Sequence, residues 1–191
     1  MSKIIILNAP PHSGKDTISN RIKDLAWNVT QLSFKAPMFD IAYAMLGERR
    51  FDMFMKAYND RNQKEAGQPF LSGKSPREFM IWISESVIKP MFGKEYFGQR
   101  VAEAAHNSGG SVIMSDGGFP DEVRALITAG HEVHVCRLHR DGYTFAGDSR
   151  DYIRLPTGWY DVNGYREYDY RLVDGDPDVT AKQIIVEHGI E

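Results

Sequence analysis

A glycine followed by a lysine, Gly14-Lys15, stands between a short apolar run and an amphipathic segment near the start of the sequence. The apolar run, residues 4–7, predicts a buried strand, and the segment from Lys15 onward has apolar residues at helical spacing. A loop that enters a helix presents backbone N–H groups and the positive end of the helix dipole to one point, where an anion is stabilised. A lysine there adds a charge for the β- and γ-phosphates of a nucleotide. These residues therefore predict a phosphate-binding loop for ATP or GTP.

The loop follows the P-loop pattern G-x-x-x-x-G-K-[ST] with two departures. Ala9 stands at the first glycine position, which a methyl group tolerates where φ is negative. Asp16 stands at the hydroxyl position, and the hydroxyl comes one residue later, at Thr17. A carboxylate beside a triphosphate needs Mg²⁺ or another cation between them. The alternative to a P-loop is a plain strand–turn–helix with a surface lysine.

Composition limits the class of protein. The sequence has 191 residues, enough for one domain with a full core, and its 42% apolar and 26% charged residues are typical of a globular protein. A net charge of −3 argues against nucleic acid as a partner. Cys136 is the single cysteine, which fits a reducing, cytoplasmic compartment. The N-terminal apolar run is too short for a signal peptide, and no segment approaches membrane-span length, so we expect no membrane association.

Strand-like and helix-like segments alternate along the chain, which predicts an α/β fold with a five-stranded parallel sheet. Ser75 and Pro76 are placed to be the N-cap and first residue of one helix. The predicted strands are residues 3–7, 29–34, 111–116, 132–138 and 170–173. The predicted helices are about residues 15–27, 38–46, 51–58, 76–92, 96–105, 120–129 and 179–188.

Residues 139–168 are polar, aromatic and glycine-rich, and they show no clear period. A loop of this length in a compact domain is usually functional. We interpret it as a mobile lid, because arginines suit the clamping of phosphate. For each of these arginines a solvated surface charge is the alternative. They are Arg140, Arg150, Arg154 and Arg166.

Charged residues follow two of the predicted strands. Asp116 ends the third strand, and ligands of parallel sheets bind beyond the carboxyl ends of the strands, so Asp116 could hold Mg²⁺. Its alternative role is that of a turn residue before Gly117. Arg137 and Arg140 come at the end of the fourth strand, where they could stabilise the phosphoryl group in transfer.

Arg77 lies in the first turn of the predicted helix 76–92. A cation opposes the helix dipole there, which suggests that Arg77 meets an anion such as a substrate phosphate. An ion pair with Glu78 or Glu85 is the alternative.

Two clusters invite a functional interpretation. The first, His131, His134, Cys136 and His139, matches no zinc spacing, and we predict that it binds no metal. The second is an aromatic and methionine stripe in residues 51–58, which we interpret as core packing. A further set of aromatic residues could stack on a base or belong to the core: Phe39, Tyr43, Trp82 and Tyr96.

Four segments together resemble the bacteriophage deoxynucleoside monophosphate kinases, within the P-loop nucleotide kinases. They are Ser13-Gly-Lys-Asp-Thr17, Ser33-Phe-Lys-Ala-Pro-Met38, Lys64-Glu65 with Ser75-Pro-Arg-Glu78, and Val112-Ile-Met-Ser-Asp116 with Phe119-Pro-Asp-Glu122. The Gly-Lys-Asp-Thr run is the most specific of these. The family often has an arginine two residues after the aspartate of the third strand, where this sequence has Gly118.

The resemblance implies a kinase that transfers the γ-phosphoryl group of ATP, with Mg²⁺, to a deoxynucleoside monophosphate (dNMP). It implies a core (about residues 1–34, 106–138 and 168–191), a monophosphate-binding insertion (about 35–105) and a lid (about 139–167). For a phage-encoded protein the compartment would be the host cytoplasm. The oligomeric state is open, with a homodimer as one option.

The resemblance also implies roles for individual residues. ATP would be bound by Pro11, His12, Ser13, Gly14, Lys15, Asp16 and Thr17, and Mg²⁺ by Asp16, Thr17 and Asp116. The acceptor would be bound by Lys35, Arg77, Trp82, Glu85, Asp116, Arg150 and Arg154. The catalytic residues would be Lys15, Asp116, Arg137 and Arg140. Three alternatives remain: a nucleoside or dephospho-coenzyme A kinase, a nucleotide-binding protein without catalysis, and a nucleic-acid-binding protein.

Overall fold

The computed structural model describes residues 1–148 and 150–191. The chain divides into two compact units. The first comprises Met1–Phe34 and Gly98–Glu191, and the second comprises Lys35–Phe97. The predicted monophosphate-binding insertion, residues 35–105, ends later than the second unit, because Val101, Ala102 and Ala105 pack in the core of the first.

The first unit is built on a parallel sheet of five strands in the order β2-β3-β1-β4-β5. Ile5 of the central strand pairs with Ile113 on one side and with His134 on the other. The strands are β1 (Lys3–Asn8), β2 (Val29–Gln31), β3 (Ser111–Met114), β4 (Glu132–His139) and β5 (Arg166–Arg171). The prediction of an α/β fold with a five-stranded parallel sheet is confirmed.

Helices cover both faces of this sheet. They are α1 (Lys15–Leu25), α5 (Tyr96–His106), α6 (Pro120–Thr128) and α7 (Pro177–His188). On one face Ile4 and Ile6 of β1 pack with residues of α5 and α6. On the other face Ile5 and Leu7 pack with residues of α1 and α7. Both faces of the central strands are therefore buried, which is why these strands read as continuous apolar runs.

The second unit is helical. It contains α2 (Ala36–Asn59), α3 (Pro76–Ile81), a π-helical segment (Trp82–Ile88) and α4 (Lys89–Phe92). Phe54 and Phe79 lie in its core with ring centroids 5.8 Å apart. The interpretation of the aromatic stripe in residues 51–58 as core packing is confirmed. Ser75 and Pro76 begin α3 as predicted, with the Ser75 Oγ accepting a hydrogen bond from the Glu78 N–H.

One glycine, Gly47, and one proline, Pro90, alter the helices of this unit. Gly47, at φ 69° and ψ 164°, breaks α2 in the middle, between the two helices that the sequence predicts. The helix predicted over 76–92 widens at Trp82–Ile88, where the Lys89 N–H donates to the Ser84 carbonyl five residues earlier. Pro90 explains this, because its ring lacks an N–H and crowds the preceding turn.

Strand β5 begins four residues earlier and ends two residues earlier than the predicted strand 170–173, which it overlaps at residues 170–171. Its first four residues, 166–169, include three charged side chains, and Arg137, which pairs with Glu167 and Asp169, is 30 and 32 residues away. No local apolar pattern therefore indicates this strand. Within residues 1–148 and 150–191, no helix combines the length and the apolar character that crossing a bilayer requires.

Candidate active site

The P-loop lies at the point where the sheet reverses its strand order. The chain passes from β1 to β2 and β3 on one side, and then crosses to β4 and β5 on the other. In open parallel sheets, ligands bind beyond the carboxyl ends of the strands at such a point. Residues 9–14 leave β1 there and enter α1 at Lys15.

The loop between β1 and α1 has two residues with positive φ angles and is held by contacts with the Pro10 carbonyl. His12 and Gly14 have positive φ angles of 63° and 104°, and Gly14 is the N-cap of α1. Ser13 is buried, and its Oγ donates a 2.8 Å hydrogen bond to the Pro10 carbonyl. The Lys15 Nζ is 3.5 Å from the same carbonyl oxygen. Glycine has no side chain with which to cap the helix, and anions commonly bind at helix N-termini.

The two departures from the P-loop pattern have different surroundings. Ala9 has no positive φ and is buried with Ile5 and Leu7, so its methyl group fits this loop. Asp16 and Thr17 are exposed in the first turn of α1. A hydroxyl and a carboxylate there are oxygen ligands of the kind that Mg²⁺ prefers.

Asp116 follows β3 and is bonded to the segment after β2. Its Oδ2 accepts a 2.6 Å hydrogen bond from the Ser33 Oγ. Two residues later, Gly118 has φ 37°, and a Cβ built there would be 2.5 Å from Cε2 of the buried Phe34 ring. Phe34 therefore occupies the space in which an arginine at position 118 would need its first side-chain atom.

Arg140 follows β4 and lies beside the P-loop. Its Nη1 donates to the Ser13 carbonyl at 3.4 Å, and its Nε donates to Asp174 Oδ1 at 2.8 Å. Its guanidinium carbon is 4.8 Å from the centroid of the Tyr143 ring. Arg140, the predicted transfer-site residue, thus lies next to the loop between β1 and α1.

Arg137 is buried in ion pairs on the sheet. Its Nε and Nη2 donate to the two carboxylate oxygens of Asp169 at 2.9 and 2.6 Å, and its Nη1 donates to Glu167. The same Nη1 donates to the Ile153 carbonyl at 3.3 Å. The Arg137 hydrogen bonds lower the pKa of Asp169 from 3.8 to about 2. Burial raises the pKa of Glu167, but hydrogen bonds outweigh it and leave this pKa below its ordinary value. The donors are Tyr165, the Leu155 N–H, Tyr160 and Arg137.

Side chains of the sheet hold the second half of the predicted lid. Asn8, the last residue of β1, accepts a 2.7 Å hydrogen bond from the Ile153 N–H and donates to the Asp151 carbonyl at 3.4 Å. Ile153, Leu155 and Tyr165 are buried in the sheet core. Sequence reasoning missed Asn8, although a polar residue at the end of an otherwise apolar strand is a signal that could have found it.

The predicted lid arginines differ in their surroundings. The Arg150 guanidinium donates two hydrogen bonds to the Asp148 carboxylate, at 2.9 and 2.8 Å, and the Arg150 N–H donates a third at 3.0 Å. Arg154 is exposed between the buried Ile153 and Leu155. Whether either contacts a phosphate stays a prediction.

The predicted acceptor residues lie in the second unit. Lys35 is the N-cap residue of α2. The exposed Arg77 forms a 3.1 Å ion pair with Glu65, rather than with Glu78 or Glu85. Trp82 stacks on Phe79 with centroids 5.9 Å apart. Their part in binding an acceptor stays a prediction.

Glu85 belongs to the same predicted set, on the π-helical segment. It accepts hydrogen bonds from Lys89 Nζ at 2.6 Å and from Ser84 Oγ at 2.9 Å. Burial raises its pKa, but these hydrogen bonds outweigh burial and leave the pKa below its ordinary value.

The histidine cluster divides between the two faces of the sheet. His134 and His188 lie with Cys136 on one face, with the two Nδ1 atoms 2.8 Å apart. Burial and the neighbouring His134 lower the pKa of His188 to about 4. The Nε2 atom of His139 lies within hydrogen-bond distance, 2.6 Å, of Asp169 Oδ1.

The donor set suits Mg²⁺ held mainly by a nucleotide. In the described part of the chain, no group of three or more His, Cys, Asp and Glu side chains forms a metal site. Mg²⁺ is commonly bound by one or two carboxylates together with substrate phosphates and water. Asp16, Thr17 and Asp116 are predicted to supply such oxygens, and their part in binding Mg²⁺ stays a prediction.

The comparisons bear on the fold. No family model and no curated protein sequence matches the chain. A solved structure that it resembles is a candidate kinase of Chloroflexus aurantiacus J-10-fl, at 12% identity and a TM-score of 0.51, covering 98% of this chain and 96% of that one. At this identity the likeness is one of fold alone.

Two further solved structures resemble the chain less closely in TM-score. The tunicamycin resistance protein of Deinococcus radiodurans has 15% identity and a TM-score of 0.49, covering 100% of this chain and 98% of that one. An uncharacterized protein of Eubacterium ventriosum ATCC 27560 has 11% identity and a TM-score of 0.45, with 98% of each chain covered.

Proposed function

We propose that this protein is a P-loop phosphotransferase that transfers the γ-phosphoryl group of Mg·ATP to a deoxynucleoside monophosphate. The observation that carries the proposal is the path of the chain from β1 through Gly14 into α1. Gly14, at φ 104°, turns the backbone into the helix at Lys15, where the sheet reverses its strand order. An uncapped helix N-terminus and a lysine at this point suit a polyphosphate.

The chemistry needs little beyond positioning and charge. Phosphoryl transfer proceeds through a loose transition state, and the protein contributes by aligning the groups and stabilising the charge on the moving phosphoryl. Lys15 and Arg140 supply positive charge beside the P-loop, and Mg²⁺, when bound, neutralises phosphate charge. Asp16, Thr17 and Asp116 would hold that ion.

The remaining residues have supporting parts in the proposal. Arg137 is a positioning residue, because its guanidinium group joins Asp169 and Glu167 to the Ile153 carbonyl. Ile153 and Leu155 of the proposed lid are buried, so this part of the segment is held in the core. Lys35, Arg77, Trp82 and Glu85 would bind the acceptor.

Replacement of Lys15 tests the P-loop. Lys15→Ala removes the lysine from the phosphate site, so ADP formation should fall by at least about a hundredfold, as when a major electrostatic group is lost. Lys23→Ala is the matched control, because Lys23 lies on the same helix in its last turn and is exposed.

Steady-state ADP formation with unchanged circular dichroism spectra decides the result. Equal turnover in Lys15→Ala and wild type would remove the P-loop from the reaction. Tight Mg·ATP binding without turnover on any acceptor would leave a nucleotide-binding protein without catalysis.

A further inference from the structure

Three chain segments meet around the guanidinium group of Arg140. Arg140 follows β4, Ser13 lies in the loop after β1, and Asp174 lies between β5 and α7. The strands β1, β4 and β5 are neighbours in the sheet. The three residues therefore come together at the carboxyl edge of the sheet, where the phosphate site is proposed.

The Arg140 guanidinium group contacts a carboxylate, a backbone carbonyl and an aromatic ring. The Nε donates to Asp174 Oδ1 at 2.8 Å, the Nη1 donates to the Ser13 carbonyl at 3.4 Å, and the Tyr143 ring lies 4.8 Å from the guanidinium carbon. Nη1 is also 3.9 Å from the position that a Cβ on Gly14 would occupy. Asp174 thus holds the Nε edge, while the Nη1 end is turned toward the P-loop.

We infer that Asp174 is a positioning residue of the nucleotide site, which holds Arg140 with its Nη groups toward the triphosphate. The inference rests on the proposed function. A free arginine side chain loses several rotamers when it binds a phosphate, and a partner that already fixes it reduces that cost. Asp174 can keep its bond to Nε while the Nη groups turn to phosphate, because the guanidinium donates along separate edges.

The charge of Asp174 has an opposite effect, and the two must be separated. A carboxylate near a triphosphate repels it, so removing the charge alone strengthens binding. Asp174→Asn and Asp174→Ala both remove the charge, but asparagine keeps an oxygen that accepts from Nε. The difference between these two variants therefore measures the hydrogen bond.

A neighbouring ion pair provides a matched control. Arg171, the last residue of β5, donates through its Nη2 to both oxygens of Asp141 at 2.9 and 2.7 Å, and Asp141 directly follows Arg140 in the segment after β4. Asp141 is exposed, as is Asp174. Asp141→Ala should not change nucleotide binding, because it leaves the contacts of Arg140 in place.

The test is the Kd for Mg·ATP, measured by calorimetry on the full chain. Asp174→Ala should bind about three- to fivefold more weakly than Asp174→Asn, as expected for the loss of one solvent-exposed hydrogen bond. In an Arg140→Ala background the two variants should have the same Kd. An independent readout is the Arg140 Nε–H resonance of the ligand-free protein, which should be shifted and slow to exchange in wild type and Asp174→Asn but not in Asp174→Ala.

The outcomes separate the inference from the function on which it rests. A wild-type protein that does not bind Mg·ATP overturns the proposed function, and the inference falls with it. A wild type that binds, with equal Kd for Asp174→Ala and Asp174→Asn, overturns the inference alone. A difference in Kd between Asp174→Ala and Asp174→Asn that persists in the Arg140→Ala background also overturns the inference.

Discussion

At the scale of single residues, two positions separate function from packing most clearly: Arg77 and Gly118. Arg77 lies in the first turn of α3, where a cation opposes the helix dipole, and its one ion pair in the described part of the chain is with the exposed Glu65. An exposed pair of this kind contributes little stability, so its loss should barely affect the fold.

Arg77→Ala should raise the acceptor KM by about tenfold or more and leave the ATP KM nearly unchanged, because a charged phosphate contact contributes more than an exposed ion pair. Initial rates with each substrate varied in turn measure both constants. Arg100→Ala, which breaks a comparable exposed pair with Glu103, is the control. An acceptor KM as in wild type would exclude Arg77 from the acceptor site.

Gly118 carries a prediction about stability. Gly118→Ala should lower the free energy of unfolding by about 2–4 kcal/mol, because it adds the strain of a positive φ to a clash with the Phe34 ring. Gly130→Ala, at φ 86° with open space around it, should cost only about 1–2 kcal/mol. Urea denaturation of both variants gives the comparison, and an equal loss would mean that Phe34 moves aside without cost.

At the scale of elements, side chains rather than strand pairing hold the segment 151–155 against the sheet. Asn8→Ala should leave the Ile153 N–H buried without this acceptor and cost about 1–3 kcal/mol. Hydrogen exchange of residues 151–155 should become faster while exchange in β1 and β4 stays slow. Asn20→Ala, at an exposed position on α1, serves as control. Unchanged exchange in 151–155 would show that Ile153 and Leu155 are held by packing alone.

The ion pairs between β4 and β5 predict a pH dependence of stability. The folded pKa of Asp169 is about 2, below its ordinary value of 3.8, so its stabilisation is present above the ordinary value. It should be lost as the pH falls from about 4 toward 2. Asp169→Asn should therefore show a flatter decline of Tm in this window than wild type, whereas Asp141→Asn should decline as wild type does. A slope in Asp169→Asn equal to that of wild type would contradict this assignment.

At the scale of the whole molecule, the sequence predicts those strands and helices that a local pattern of residues indicates. Apolar runs indicate β1, β3 and β4, and the capping residues Ser75 and Pro76 mark the start of α3. The pattern does not indicate β5, because its charged residues Glu167 and Asp169 are paired with Arg137, 30 and 32 residues away in the chain.

The candidate site also has a part that local sequence indicates and a part formed by residues distant in sequence. The P-loop is a contiguous motif, and its backbone supports the interpretation of Gly14 and Lys15. The contacts of Asn8 with Ile153 and of Asp174 with Arg140 join segments 145 and 34 residues apart. No spacing rule relates such residues, and only the order of the strands brings them together.

The most direct measurement follows the γ-phosphoryl group itself. Mg·ATP labelled with ³²P at the γ-position is incubated with each deoxynucleoside monophosphate in turn, and the products are separated by chromatography. The proposed function predicts label in the matching diphosphate for at least one acceptor, and none with Lys15→Ala. Label that remains in ATP, or appears only as inorganic phosphate, with every acceptor would contradict it.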